Sequence, residues 1–150
     1  MILQEDPKLF PQIQKEGCLF LSYLKLAELN SIEWTPELVN LAYIAAVDQG
    51  WIEANCRILN PDKMLSFLGL NLSGWIRHEP VSYHRRVDEI EIEEWHNPRT
   101  DLNHSILGSP FRWDPLGNSI TVAQGKLVRK TIVRFTDKRF AMNYKGGVVV

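Results

Sequence analysis

The feature that most constrains this chain is a change of hydrophobic period part-way along it. Up to about residue 70 apolar residues recur at helical spacing, and after Gly74 they alternate with polar ones, as in strands with one buried face. Helices followed by strands point to an α+β layout with an antiparallel sheet, because βαβ repeats would interleave the two periods. The 150 residues fit one domain, 1–150, with no internal repeat and no low-complexity segment.

The first helix is expected to begin near Gly17-Cys18 and end near Leu29-Asn30. In CLFLSYLKLAELN only Ser22, Lys25 and Glu28 form a polar stripe, so the helix should be buried on most of its circumference. The second helix is punctuated by Thr35 as N-cap, Pro36 at the first helical position, Glu37 in the first turn and Gly50 past the end. A third, short helix follows Asn60-Pro61-Asp62 and stops at Gly69, with Met64, Leu65, Phe67 and Leu68 expected to face inward.

Strands are expected over Glu79–Tyr83, Val87–Trp95 and His104–Leu107. Two more, Ser119–Ala123 and Lys126–Phe135, flank Gln124-Gly125 as a hairpin. The run VDEIEIEEW alternates apolar and acidic residues. Glu89, Glu91, Glu93 and Glu94 could hold a cation, but a solvated strand face is the expectation. The tail Gly146-Gly147-Val148-Val149-Val150 is either a last strand or a frayed end.

Composition narrows the function. Hydrophobic residues at 45% and charged residues at 23% are the mix of a globular protein, not of a disordered chain, a collagen or a coiled coil. The 17 basic and 18 acidic side chains nearly cancel, and a net charge of -1 with a pI near 6.4 argues against a nucleic-acid binder. Two cysteines make no disulfide framework and suit a reducing compartment. The start MILQEDPK lacks the basic and apolar regions of a secretory signal, and no apolar run has the length of a membrane span. Cytoplasmic synthesis is therefore expected, with some other device needed for any release to the cell wall.

Cys18 stands at the expected start of the buried helix. Unpaired N–H groups there carry partial positive charge, which stabilises a thiolate and can also hold an oxyanion. Buried packing is the alternative for Cys18, and it is the reading for Cys56, which has no base nearby in sequence and no cap signal. Of the four histidines, His78 and His84 would share one face of a continuous strand. Pro80 interrupts it and no third ligand accompanies them, so they read as surface residues. His96 precedes the turn at Asn97-Pro98.

His104 opens an apolar strand, and Asp114 follows ten residues later beyond Gly108-Ser109-Pro110. If the connecting loop holds an odd number of residues, the two fall on one face as near-diagonal neighbours. A carboxylate there would fix the imidazole tautomer; with an even loop they face opposite ways.

A Cys at a helix start, then His and Asp on strands, resembles the papain-like cysteine peptidase superfamily. The similarity is nearest to its small bacterial and phage members, such as bacteriocin-processing and NlpC-type cell-wall peptidases. The residues that carry it are Gln12 in PQIQKEGC, six before Cys18, the Cys-led helix and the H…DP pair. It covers most of the chain in element order, but in specific residues only 12–30 and 102–125. The resemblance implies N-terminal helices, one of them buried and Cys-led, packed on a C-terminal antiparallel sheet. It implies Cys18 as nucleophile, His104 as general base and acid, Asp114 as the residue orienting the His, and Gln12 completing an oxyanion hole. Gln14 is the rival of Gln12, and Asn103 or Asn118 are substitutes for Asp114. No second Cys or Gly-Ser string follows Cys18, and the His-to-Asp spacing is shorter than in the larger members.

The function implied is amide-bond hydrolysis through an acyl-enzyme, on a peptide or on peptidoglycan peptide as in a phage endolysin. No cofactor, metal, nucleic acid or membrane span is called for: Gly-rich phosphate loops, paired CxxC and HExxH are absent from the sequence. A monomer is expected. The alternatives are an inactive papain-like binding or inhibitory protein, an intracellular leader or isopeptide peptidase, and a winged-helix-like regulator using Lys126, Arg129 and Lys130.

Overall fold

A computed structural model describes residues 2–70 and 76–134. They divide into two compact units. One is built from the residues up to Leu70 together with Pro115–Gly117, the other from the described residues beyond it to Asp114 and from Asn118 on.

The first unit is helical: α1 (Pro11–Glu16), α2 (Cys18–Leu26) continued by a 3-10 turn (Ala27–Asn30), α3 (Pro36–Asp48) and α4 (Pro61–Phe67). Proline opens α1, α3 and α4, where its missing N–H leaves no bond unmade. Thr35 Oγ1 accepts the Leu38 N–H at 3.2 Å, and Asn60 Oδ1 accepts that of Lys63 at 3.1 Å. Gly50, at φ 76°, follows the last turn of α3, as its position in the sequence required.

The expected first helix is there and starts at Cys18, and its body is the core of this unit. Phe20, Leu21, Leu24 and Leu26 are buried, beside Ile13, Val39, Ile52 and Leu65. Ser22, on the expected polar stripe, is buried too and donates to the Cys18 carbonyl at 2.8 Å. Asn40 of α3 accepts the Phe10 N–H and donates to the Lys8 carbonyl, which fixes the approach to α1. Two readings need correction. The short helix α1 was not expected, since only Ile13 of it is buried and PQIQKE shows no period to detect. Of the four residues expected to face inward here, Met64 and Leu65 of α4 are buried, Phe67 at its end is exposed and Leu68, its C-cap, is partly buried, because two turns offer one narrow face.

The second unit is a four-stranded antiparallel sheet, β1 (Arg77–Glu79), β2 (Glu89–Asn97), β3 (Leu102–Leu107) and β4 (Lys126–Arg134), in the order β1-β4-β2-β3, with a short helix α5 (Ile120–Gln124) before β4. Helices then antiparallel strands is the α+β class expected. The strand placed at Glu79–Tyr83 lies instead at Arg77–Glu79; Pro80, lacking an N–H, ends it. The strand placed at Ser119–Ala123 is helix α5, capped by Ser119 Oγ, which accepts the Val122 N–H at 3.3 Å. The Gln124-Gly125 hairpin is consequently absent, and β4 pairs with β2 and β1. A Cβ on Gly125 would lie 2.1 Å from the Thr121 carbonyl oxygen and 2.5 Å from that of His96, so this glycine serves a close backbone approach. The tail 146–150 and the end of the last expected strand at Phe135 lie outside the described residues.

The acidic run of β2 is the largest departure. Glu89, Glu91 and Glu93 are 1%, 4% and 6% exposed, so they do not form a solvated face. Each carboxylate meets a cation from another segment. Glu89 accepts from Arg77 at 2.7 Å, from the Tyr83 hydroxyl at 2.5 Å and from the Arg86 N–H at 2.8 Å. Glu91 accepts from Lys130 at 3.2 Å, and Glu93 from Arg112 at 3.3 Å and the Trp95 indole at 3.0 Å. Alternation reports two different faces but not whether the polar one is wet.

Candidate active site

His104 lies on β3, opposite Trp95 of β2, and is 5% exposed. Beyond β3 the chain turns through Gly108–Arg112 and returns, with Leu107 and Trp113 exchanging backbone N–H···O bonds at 2.9 and 2.8 Å. Five residues separate that pair, an odd loop. In such a register Asp114 stands opposite Ile106 and diagonal to His104 on the same face. The side chains do meet: His104 Nε2 and Asp114 Oδ1 are 2.6 Å apart.

The other oxygen of Asp114 is held as well. Oδ2 accepts the Ser119 N–H at 3.1 Å and the Ser119 hydroxyl at 2.8 Å. Oδ2 thus acts twice as an acceptor. A carboxylate at Asp114 would take the hydrogen of this bond from Nε2 of the imidazole. Nδ1 of the neutral ring would then carry the lone pair. The pair is thus a buried imidazole joined through Nε2 to a carboxyl group whose other oxygen is held by Ser119; an ionised carboxylate there would stabilise the protonated ring.

Ser119 was not singled out in the sequence. Its signal was the turn Pro115-Leu116-Gly117-Asn118 followed by a helix-capping residue, which the β-branched run Ile120-Thr121-Val122 masked as a strand. The substitutes for Asp114 go elsewhere. Asn103 is exposed, and its Oδ1 lies 2.7 Å from Nδ1 of His96; Asn118 is exposed.

In the helical unit, Cys18 is the first residue of α2 and partly buried. Gly17 precedes it, and a Cβ there would lie 2.4 Å from the Ile13 carbonyl oxygen, so the tight junction of α1 and α2 requires glycine. Cys56 is buried, with Sγ 3.8 Å from the Gln12 carbonyl oxygen. Burial, then the nearby charges of Glu16 and Cys18, pushes its thiol up to about 12. Cys56 is therefore a thiol at any physiological pH, in keeping with packing. On α1, Gln14 Nε2 donates to the Leu9 carbonyl at 2.7 Å and is committed to the local fold, whereas the side chain of Gln12 is exposed.

His78 and His84 are both exposed, as surface residues should be; His78 Nδ1 is 3.0 Å from the Thr131 hydroxyl across β1 and β4. Among the described residues no group of three or more His, Cys, Asp or Glu is placed to hold a metal ion, and no helix is long and apolar enough to cross a membrane.

No curated protein and no solved structure matches the chain. Residues 1–135 match the model of a family described as protein of unknown function DUF261, and the chain belongs to that family.

Proposed function

We propose that this chain is a cysteine hydrolase of papain-like type that cleaves an amide bond through a thioester intermediate. The observation that carries the reading is the buried His104–Asp114 bond at 2.6 Å, which sets the tautomer a general base needs. The placement of Cys18 at the first position of α2, at the positive end of the helix dipole, supports it.

In this reading the Cys18 thiolate attacks the amide carbonyl carbon. The oxyanion takes hydrogen bonds from the Cys18 N–H and the Gln12 side-chain amide. The protonated His104 gives its Nδ1 proton to the leaving nitrogen, and the C–N bond breaks to leave an acyl-Cys18 thioester. A water then gives a proton to His104 Nδ1 as its oxygen adds to the thioester carbon; the C–S bond breaks, the carboxylic acid leaves, and the Cys18 thiolate and protonated His104 are restored. The substrate is a peptide amide, with peptidoglycan peptide as the first candidate, as for a phage lytic enzyme made in the cytoplasm and released by other means. The enzyme acts as a monomer without cofactor.

Cys18 and the His104–Asp114 pair belong to different units, so the reading demands that thiol and imidazole act on one carbonyl. Alkylation by iodoacetamide from pH 5 to 9, with mass spectrometry locating the label, tests that demand. Cys18 should react rapidly near pH 6 while Cys56 stays silent. His104→Ala should return Cys18 to the behaviour of an ordinary thiol, reacting above about pH 8. On peptide and peptidoglycan substrates Cys18→Ala should abolish turnover without loss of folding, and Gln12→Ala should lower kcat by roughly 10²–10³. Turnover retained by Cys18→Ala, or an alkylation profile unmoved by His104→Ala, would overturn the reading in favour of a binding or inhibitory protein.

A further inference from the structure

A carboxylate that touches an imidazole through one oxygen can still swing about its Cβ–Cγ bond, since that torsion is broad. Fixing its plane needs a partner on the second oxygen. In this chain Ser119 supplies two, its N–H and its hydroxyl, both on Asp114 Oδ2. The hydroxyl has one proton, and the oxygen lone pair is used as well, accepting the Val122 N–H at the start of α5. Ser119 is 6% exposed, so water competes little for these bonds. Its backbone torsions are extended, φ -72° and ψ 142°, the usual shape for an N-cap.

We infer that Ser119 is a positioning residue. By anchoring Asp114 Oδ2 to the first turn of α5, it holds the carboxylate plane so that Oδ1 stays on His104 Nε2. The alternative is that Ser119 only caps α5 and that Asp114 would stand unchanged without its hydroxyl. The catalytic meaning of the inference rests on His104 being the base of the proposed hydrolase. Its geometric content does not, and the two are separable by experiment.

The test reads the imidazole proton itself. A buried Nε2–H on a carboxylate exchanges slowly and gives a downfield proton resonance. It is recorded in the Cys18→Ala chain, where turnover plays no part, and assigned by its loss in His104→Ala. Ser119→Ala and Ser119→Gly should broaden it away or raise its exchange rate at least tenfold, and Ser119→Thr should keep it. Ser119→Gly decides the matter should Ser119→Ala fail to fold, because Gly at an N-cap costs only a few tenths of a kcal/mol relative to Ser and keeps the backbone N–H bond. An unchanged resonance in Ser119→Gly, or no such resonance in the parent chain, would overturn the inference. With Cys18 intact, Ser119→Gly should lower kcat about tenfold with KM unchanged, roughly one charged hydrogen bond, and Ser119→Thr should restore it. A changed resonance in a chain that hydrolyses nothing would leave Ser119 as inferred and count against the hydrolase alone.

Discussion

In the helical unit the groups withdrawn from water are Ile13, Phe20, Leu21, Leu24, Val39 and Leu65; along one face of β2 in the sheet unit they are Glu89, Glu91 and Glu93. The first set is stable whatever the pH, because apolar burial gains free energy in proportion to area and involves no charge state. The second holds only while each carboxylate keeps its partner, since an unpaired buried charge costs several kcal/mol. The candidate base pair, His104 and Asp114, stands on the ionic side of this division, and the candidate nucleophile Cys18 on the apolar side. Conditions that weaken the sheet's ion pairs should therefore reach the imidazole before they reach the helix that carries the thiol.

The sharpest way to test the contrast is to remove the largest side chain of each kind. Phe20 is fully buried, with its ring centroid 6.2 Å from that of Tyr43. Phe20→Ala should cost about 3–5 kcal/mol, a transfer loss plus a cavity. The cost should be the same at pH 7 and pH 4, read by denaturant unfolding, and amide exchange should rise first in α2 and α3. A cost that varied with pH would break the comparison, since no titrating group would explain it.

Glu89 should behave in the opposite way, with a smaller effect. Burial alone would raise its carboxyl; the hydrogen bonds from Tyr83, the Arg86 N–H and Arg77 outweigh it and hold the group below the usual 4.5. A folded value below the unfolded one means that the stabilisation is complete above about pH 4.5 and drains away as pH falls through the folded value. Glu89→Gln should cost about 2–3 kcal/mol at pH 7. The gap from wild type should close as the pH falls below about 4.5, in a thermal-unfolding series. A gap that stayed constant over that range would show that the charge on Glu89 contributes nothing.

The same division governs what could be read from the sequence. The start of α2, the cap at Thr35 and the stop at Gly50 were legible because they depend on local geometry that few residue types satisfy. The pairing of His104 with Asp114 was legible only as a conditional, since parity of the loop decides it, and Gly108-Ser109-Pro110 does not state where pairing ends. The burial of Glu89, Glu91 and Glu93 was not legible, because their partners Arg77, Lys130 and Arg112 come from three separated segments. Helix α5 was misread for a related reason: Ile120, Thr121 and Val122 favour strands locally, and the cap by Ser119 and the fit of Gly125 against His96 override them.

The finest test sets an exposed ion pair of β2 and β4 against the buried pair of β2 and β1. Glu94 and Arg129 face each other in the register of these strands, 3.5 Å apart, with side chains 32% and 48% exposed. The chemistry is that of Glu89 and Arg77, whose distance is 2.7 Å and whose exposures are 2% and 20%. Water screens the outer pair and both side chains keep much of their rotamer freedom, so a double-mutant cycle of Glu94→Ala and Arg129→Ala should return only a few tenths of a kcal/mol. That coupling should vanish in about 1 M salt, where the screening length is near 3 Å, while the cycle on Glu89 and Arg77 should keep most of its value. A coupling of equal size for the two pairs would mean that burial is not what separates the polar face of this sheet from its rim.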